Sequence, residues 1–167
     1  MSEVETTNDQ NPAPKKRKAK KPSRSQMRSA SRRLALQAIY QWQMNHSSVN
    51  EIETQFTLDQ DMSDCDKAYF RELLQGVTNR AKKLDDLFEE LLDRSLGELD
   101  SIELAVMRIG AFELSERLDV PYRVVINEGV ELAKGFGATE SHKYVNGILD
   151  KLAQRVRREE IAARRNS

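Results

Sequence analysis

Residues 119–153 read DVPYRVVINEGVELAKGFGATESHKYVNGILDKLA, and their apolar spacing decides the fold. Tyr122, Val125, Ile126, Val130, Ala133 and Phe136 recur at helical intervals and give one helix a core stripe. Pro121 suits the first turn of that helix, where its missing N–H costs nothing, and Gly135 and Gly137 end it. Thr139 can cap a second helix, with Val145, Ile148, Leu149, Leu152 and Val156 as its stripe. The pair Asn146-Gly147 normally marks a turn. Within a helix this glycine costs about 1 kcal/mol against alanine, and close helix packing is the expected reason for it.

The same spacing extends towards the N-terminus, and nowhere does sustained strand alternation appear. A first helix is expected over residues 27–45, with Leu34, Ala35, Ala38, Ile39 and Trp42 on one face. A shorter segment follows over 49–58. Ser63 with Asp66 reads as a capping box for a helix burying Phe70, Leu73, Leu74, Val77 and Ala81, and Leu84, Leu87, Phe88, Leu91 and Leu92 continue after a bend. Asp100 with Glu103 opens a helix whose Ile102, Ala105, Val106, Ile109 and Phe112 face inward. The chain reads as all-α: a disordered basic tail over 1–27, a helical domain over 28–158 and a frayed tail over 159–167.

The formal net charge of zero conceals segregation. Residues 1–33 carry ten Lys/Arg against three acids, a net +7, with every base between Lys15 and Arg33. Residues 51–104 carry fifteen acids against six bases, a net −9. A basic arm beside an acidic body points to two surfaces with different partners. No apolar run is long enough to span a membrane and the first residues do not read as a secretory leader, so the cytoplasm is the expected location.

Catalytic groups do not converge. Cys65 stands alone, and neither His46 nor His142 has a partner at metal-ligand spacing. Ser141 and His142 are adjacent, so on a helix they point about 100° apart. Glu128 and Glu131 share a face that Lys134 continues, a solvated charged face. The segment 135–140 lacks the third glycine of a dinucleotide loop, and no Walker-type or methyl-donor loop is present. No enzyme activity, cofactor or metal is expected.

Binding is the remaining reading. Leu36, Tyr40 and Met44 recur every four residues on the side of the first helix opposite its core stripe. Either the helix is sandwiched and buries both faces, or this ridge receives another protein. Arg28, Arg32 and Arg33 at its start suit phosphate, helped by the helix N-terminus. Tyr144 beside Lys143 offers a surface on which an RNA base can stack.

The quoted stretch resembles the signature of the NusB transcription antitermination factors. LALQAIYQWQ (34–43), YFRELLQGV (69–77) and AVMRIGAFELS (105–115) are similar to that family's other blocks, in order. The resemblance covers residues 28 to about 153 and implies a compact bundle of about seven helices in two helical subdomains. It implies pairing with NusE, a small-subunit ribosomal protein, binding of boxA-type single-stranded RNA and assembly on RNA polymerase, especially on ribosomal RNA operons. By the same likeness Arg28 and Arg32 fall in the RNA-binding N-terminal motif, and Glu140, His142, Lys143 and Tyr144 in a second RNA-contacting stretch. Leu36, Tyr40, Met44 and Glu103 fall where the family meets NusE, which favours the exposed ridge. The rivals are a helical scaffold binding protein alone, a non-specific basic-tailed nucleic-acid binder, and the NusB-like domain that precedes some RNA methyltransferases.

Where related proteins often carry consecutive arginines, this chain has Arg28-Ser-Ala-Ser-Arg32-Arg33. The tract from Lys15 to Arg24 is expected to compensate with non-specific charge. Deleting residues 1–25 should therefore weaken RNA binding and flatten its salt dependence; an unchanged salt slope contradicts this.

Overall fold

The computed structural model describes residues 21–166, so most of the expected basic tail lies outside the described residues. Those residues form α1 (Arg24–Asn45), α2 (Val49–Asp59), α3 (Lys67–Asn79), α4 (Ala81–Phe88), α5 (Ser101–Glu116), α6 (Tyr122–Phe136), α7 (Ser141–Val156) and α8 (Arg158–Arg165). Two 3-10 turns, Glu89–Leu91 and Leu96–Glu98, lie between α4 and α5. The described regular structure is all helical, with one helix more than expected: α8 occupies most of the segment read as a frayed tail.

Local chemistry sets where the helices begin. Ser23 and Gln26 close a reciprocal capping box, 3.1 and 2.8 Å, so α1 starts three residues earlier than expected. Asp66, not Ser63, caps α3 by accepting the Tyr69 N–H at 3.1 Å, while Ser63 bonds Asp61 instead. Asp100 caps α5 as expected, accepting the Glu103 N–H at 2.7 Å. Pro121 is the cap residue of α6, whose first N–H donates to Glu160 of α8 at 3.0 Å. Thr139 does not cap α7; that position belongs to Glu140, which is left-handed at φ 76°.

The core is centred on α5, which is buried along most of its length and packs against α1, α3, α4, α6 and α7. It runs antiparallel to α1: Arg32 meets Glu113 near the end of α5, and Gln43 donates to the Ser101 carbonyl at its start. Arg108 of α5 spans helices, holding Asp85 of α4 at 2.8 Å through two nitrogens and Gln43 of α1 at 3.0 Å. The end of α5 is capped by a side chain from α7's far end. Arg157, buried, donates to the carbonyls of Leu114, Glu113 and Arg117, which satisfies acceptors a helix end otherwise leaves open.

Leu149 of α7 wedges between α5 and α6. A Cβ on Gly110 or on Gly129 would stand 2.6 Å from its methyl groups, so both glycines are required for this approach. Gly147 differs, because a Cβ there meets nothing within 4 Å; the expected close packing at this glycine is absent. Gly147→Ala should therefore raise unfolding stability by about 1 kcal/mol, while Gly129→Ala lowers it through overpacking. Urea denaturation checks both, and a destabilised Gly147→Ala would contradict the account.

Candidate nucleic-acid and partner interface

The first half of α1 is built around a buried ion pair. Arg32 is 2% exposed and donates to both carboxylate oxygens of Glu113, at 2.9 and 2.8 Å. Glu128 of α6 stands 3.6 Å from the same guanidinium, and the Tyr69 hydroxyl of α3 donates to Glu113. Burial works against the charge on Arg32, but the Glu113 carboxylate overrides it and raises the pKa. Burial and the same carboxylate push the Tyr69 hydroxyl up, keeping it a neutral donor. Arg32, expected to hold phosphate, is thus an internal strut: its donors are turned inward to an acid that the apolar helix α5 brings to the same depth.

The other two arginines differ in exposure, Arg28 being half-buried. Arg33 is exposed. Arg28 lies with its guanidinium 4.6 Å from the centre of the Tyr69 ring, its Nη1 is 3.9 Å from Asp119, and its buried Nε has no hydrogen-bond partner. Asp119 is held mainly by Arg117, through two bonds of 2.9 Å that pull its carboxyl down to about 2. A shallow hollow lined by Arg24, Ser25, Arg28, Asp119 and Val124, with the edge of Arg32 at its base, opens beside these groups. Glu128 is not on a simple solvated face, since it also accepts the Ser29 hydroxyl at 2.7 Å.

The second expected stretch opens α7. Glu140 and Lys143 are exposed and paired at 2.5 Å, His142 is half-buried, and Ser141 is buried. Tyr144, half-buried, donates to Asp93 at 2.9 Å, and the Arg94 guanidinium lies 4.4 Å from its ring centre. Sequence reading singled out neither Asp93 nor Arg94, because they sit in the connection between α4 and α5, far away in the chain. Glu103 joins this neighbourhood, facing Asp100, Arg94 and Ser141. The starts of α1 and α7 are therefore set apart along α5. Arg32 sits against Glu113 and Tyr144's surroundings reach Glu103, ten residues apart on α5, which is about 15 Å along a helix.

The other side of α1 bears the apolar ridge, with one correction. Tyr40 and Met44 are 37% and 52% exposed, whereas Leu36 is fully buried and forms the floor. Phe56, Ile102 and Phe136 from α2, α5 and α6 border the same groove with Gln37 and Gln41. Those three helices close over Leu36 and leave the next two turns of α1 open. Phe136, read as core from its spacing, is 36% exposed and belongs to the ridge. Glu103 does not line the groove; its neighbour Ile102 does.

The comparisons agree with this architecture. The family model described as the NusB family matches residues 29–154. The chain is 83% identical over 169 residues to a transcription antitermination protein NusB of Marinomonas sp. (strain MWYL1), covering 100% of this chain and 97% of that protein. It is 56% identical over 150 residues to the protein of the same name from Pseudomonas entomophila (strain L48), covering 90% of each. Among solved structures, T. maritima NusB superposes with a TM-score of 0.67 at 30% identity, covering 76% of this chain and 90% of that one. A NusB crystallised with NusE and double-stranded RNA superposes with a TM-score of 0.63 at 22% identity, over 77% and 96%, a likeness of fold. Among the described residues no helix is long and apolar enough to cross a membrane.

Glu103 gives the site a pH dependence. Burial and a hydrogen bond with Asp100 raise its carboxyl to about 7, so the folded chain prefers it protonated. The stabilisation this confers is complete below the ordinary carboxyl range and is lost as pH rises through 7. Between pH 5 and 8 the wild type should lose stability that Glu103→Gln does not lose. Parallel urea curves for the two proteins across that range would contradict it.

Proposed function

The chain belongs to the NusB family of transcription antitermination factors, and from that premise we propose that it works as a non-enzymatic adaptor in the cytoplasm. It binds boxA-type single-stranded RNA together with the ribosomal protein NusE and joins an RNA polymerase antitermination complex, especially on ribosomal RNA operons. The observation that carries this reading is the division of α1. Its N-terminal end carries the exposed Arg24 and Arg33 and the half-buried Arg28, while two turns further on Tyr40 and Met44 form an open apolar ridge with Phe136.

The two surfaces suit different ligands. Guanidinium groups beside a helix start take phosphates and carry little sequence information. The second RNA surface, at the start of α7, brings Lys143 for phosphate, His142, Glu140 for base-edge contact and the Tyr144 ring for stacking. Separation by about 15 Å of helix is compatible with one strand crossing both, since several nucleotides cover that span. The Tyr40–Met44 ridge takes NusE, because aromatic and Met side chains are the ones that dominate protein contacts, and the acidic residues of 51–104 favour a basic partner. Arg32 and Leu36 act behind these surfaces and not on them.

Titrating labelled boxA RNA, a scrambled strand and a boxA duplex, with and without NusE at two salt concentrations, tests the reading. A modest preference for single-stranded boxA alone and a clear gain with NusE are expected. Tyr40→Ala should abolish the gain, about 1–2 kcal/mol for an aromatic anchor, at an unchanged urea midpoint. A full gain retained by Tyr40→Ala contradicts the assignment of the ridge.

A further inference from the structure

We propose that Arg94, in the connection between α4 and α5, is a nucleobase-stacking residue that extends the RNA surface at the start of α7. The inference rests on the RNA-binding reading above and names a contact that reading did not contain. Its ground is a cation–ring contact already assembled in the free chain. The Arg94 guanidinium lies 4.4 Å from the centre of the Tyr144 ring. Asp93 fixes both partners, accepting the Tyr144 hydroxyl at 2.9 Å and the Arg94 Nε at 2.8 Å. One side of Tyr144 is therefore covered, and a base approaching from there meets the guanidinium plane first.

That plane is suited to the task. The Arg94 side chain is 39% exposed, so part of it is open to solvent beside Tyr144. A guanidinium plane accepts a base by stacking as an aromatic ring does, and in addition attracts phosphate. Holding it over Tyr144 before RNA arrives removes part of the ordering cost that a free arginine would meet on binding. Lys143, exposed at the same helix start, stands ready for the neighbouring phosphate. The ligand implied is an unstacked nucleobase of a single strand, because a base paired inside a duplex presents no free face.

The charge and the plane of Arg94 can be separated. Arg94→Lys keeps the charge and loses the plane; Arg94→Ala loses both. Binding of boxA RNA carrying 2-aminopurine at successive positions is measured with NusE present, beside a scrambled strand, at two salt concentrations. Arg94→Lys should lower boxA affinity about tenfold with the salt slope preserved, and should erase the fluorescence change at one position. Arg94→Ala should lose at least as much affinity and also flatten the slope. If Arg94→Lys binds as the wild type does and keeps the fluorescence change, the inference is overturned while the RNA reading stands. If the wild type itself does not distinguish boxA from the scrambled strand, the RNA reading falls and this inference with it. A structural clamp alone would lower the urea midpoint of Arg94→Lys and leave the position-specific signal in the folded fraction, which also overturns the proposal.

Discussion

The bidentate contact between Arg32 and Glu113, closed by the hydroxyl of Tyr69, fixes how α1 is turned in the bundle. A charge at this depth is tolerated only when paired and hydrogen-bonded, and leaving either partner alone costs about 3–5 kcal/mol. The pair and the fully buried Ala35, Leu36 and Ile39 together set the rotation of the helix. With Arg32, Ala35, Leu36 and Ile39 facing inward, Arg33 is turned by about 100° to solvent, and Tyr40 and Met44 clear the edge of the core. The Tyr69 ring adds a second level of order, since Arg28, Arg32 and Arg117 all lie against it, at 4.6, 5.4 and 5.0 Å. One buried acid thus organises the arginines that remain outside.

The same device recurs along α5. Arg108 bonded to Asp85 and Gln43 ties α4 and α1 to its middle, and Arg157 closes its C-terminal carbonyls from the end of α7. Because α5 is tied at its middle and at its C-terminal end, the surfaces near Glu113 and near Glu103 keep a set separation. The residues proposed to meet RNA thus fall in two patches set apart along α5. The apolar ridge on α1 lies apart from both.

Periodicity recovered the all-α architecture and the core stripes of α3 and α7, since those patterns follow from a helix burying one face, whereas α5 is buried nearly all round and its one expected stripe understates it. It misplaced residues wherever burial is decided by distant chain. Leu36 looked like a ridge residue, yet α2, α5 and α6 cover it; Phe136 looked like core, yet it lies beside the uncovered turns of α1. Arg32 read as a surface cation because its partner lies eighty-one positions away. A signal existed in Glu113, a lone acid within the apolar run AVMRIGAFEL, which demanded a cationic partner. The contact of Arg94 with Tyr144 left no such trace. Caps moved by a residue or three where two oxygen-bearing side chains competed, as at Ser63 and Asp66.

Arg32 is an anchor inside the bundle, and Arg28 and Arg33 are the residues proposed to hold RNA. The direct measurement is the boxA affinity, with NusE present, of the folded double variant Arg32→Met with Glu113→Gln, which removes both charges and leaves an acceptor for the Tyr69 hydroxyl. Affinity within about twofold of wild type, well under the 1.4 kcal/mol that separates tenfold differences, is the predicted result. A folded double variant that binds boxA no better than a scrambled strand would contradict it.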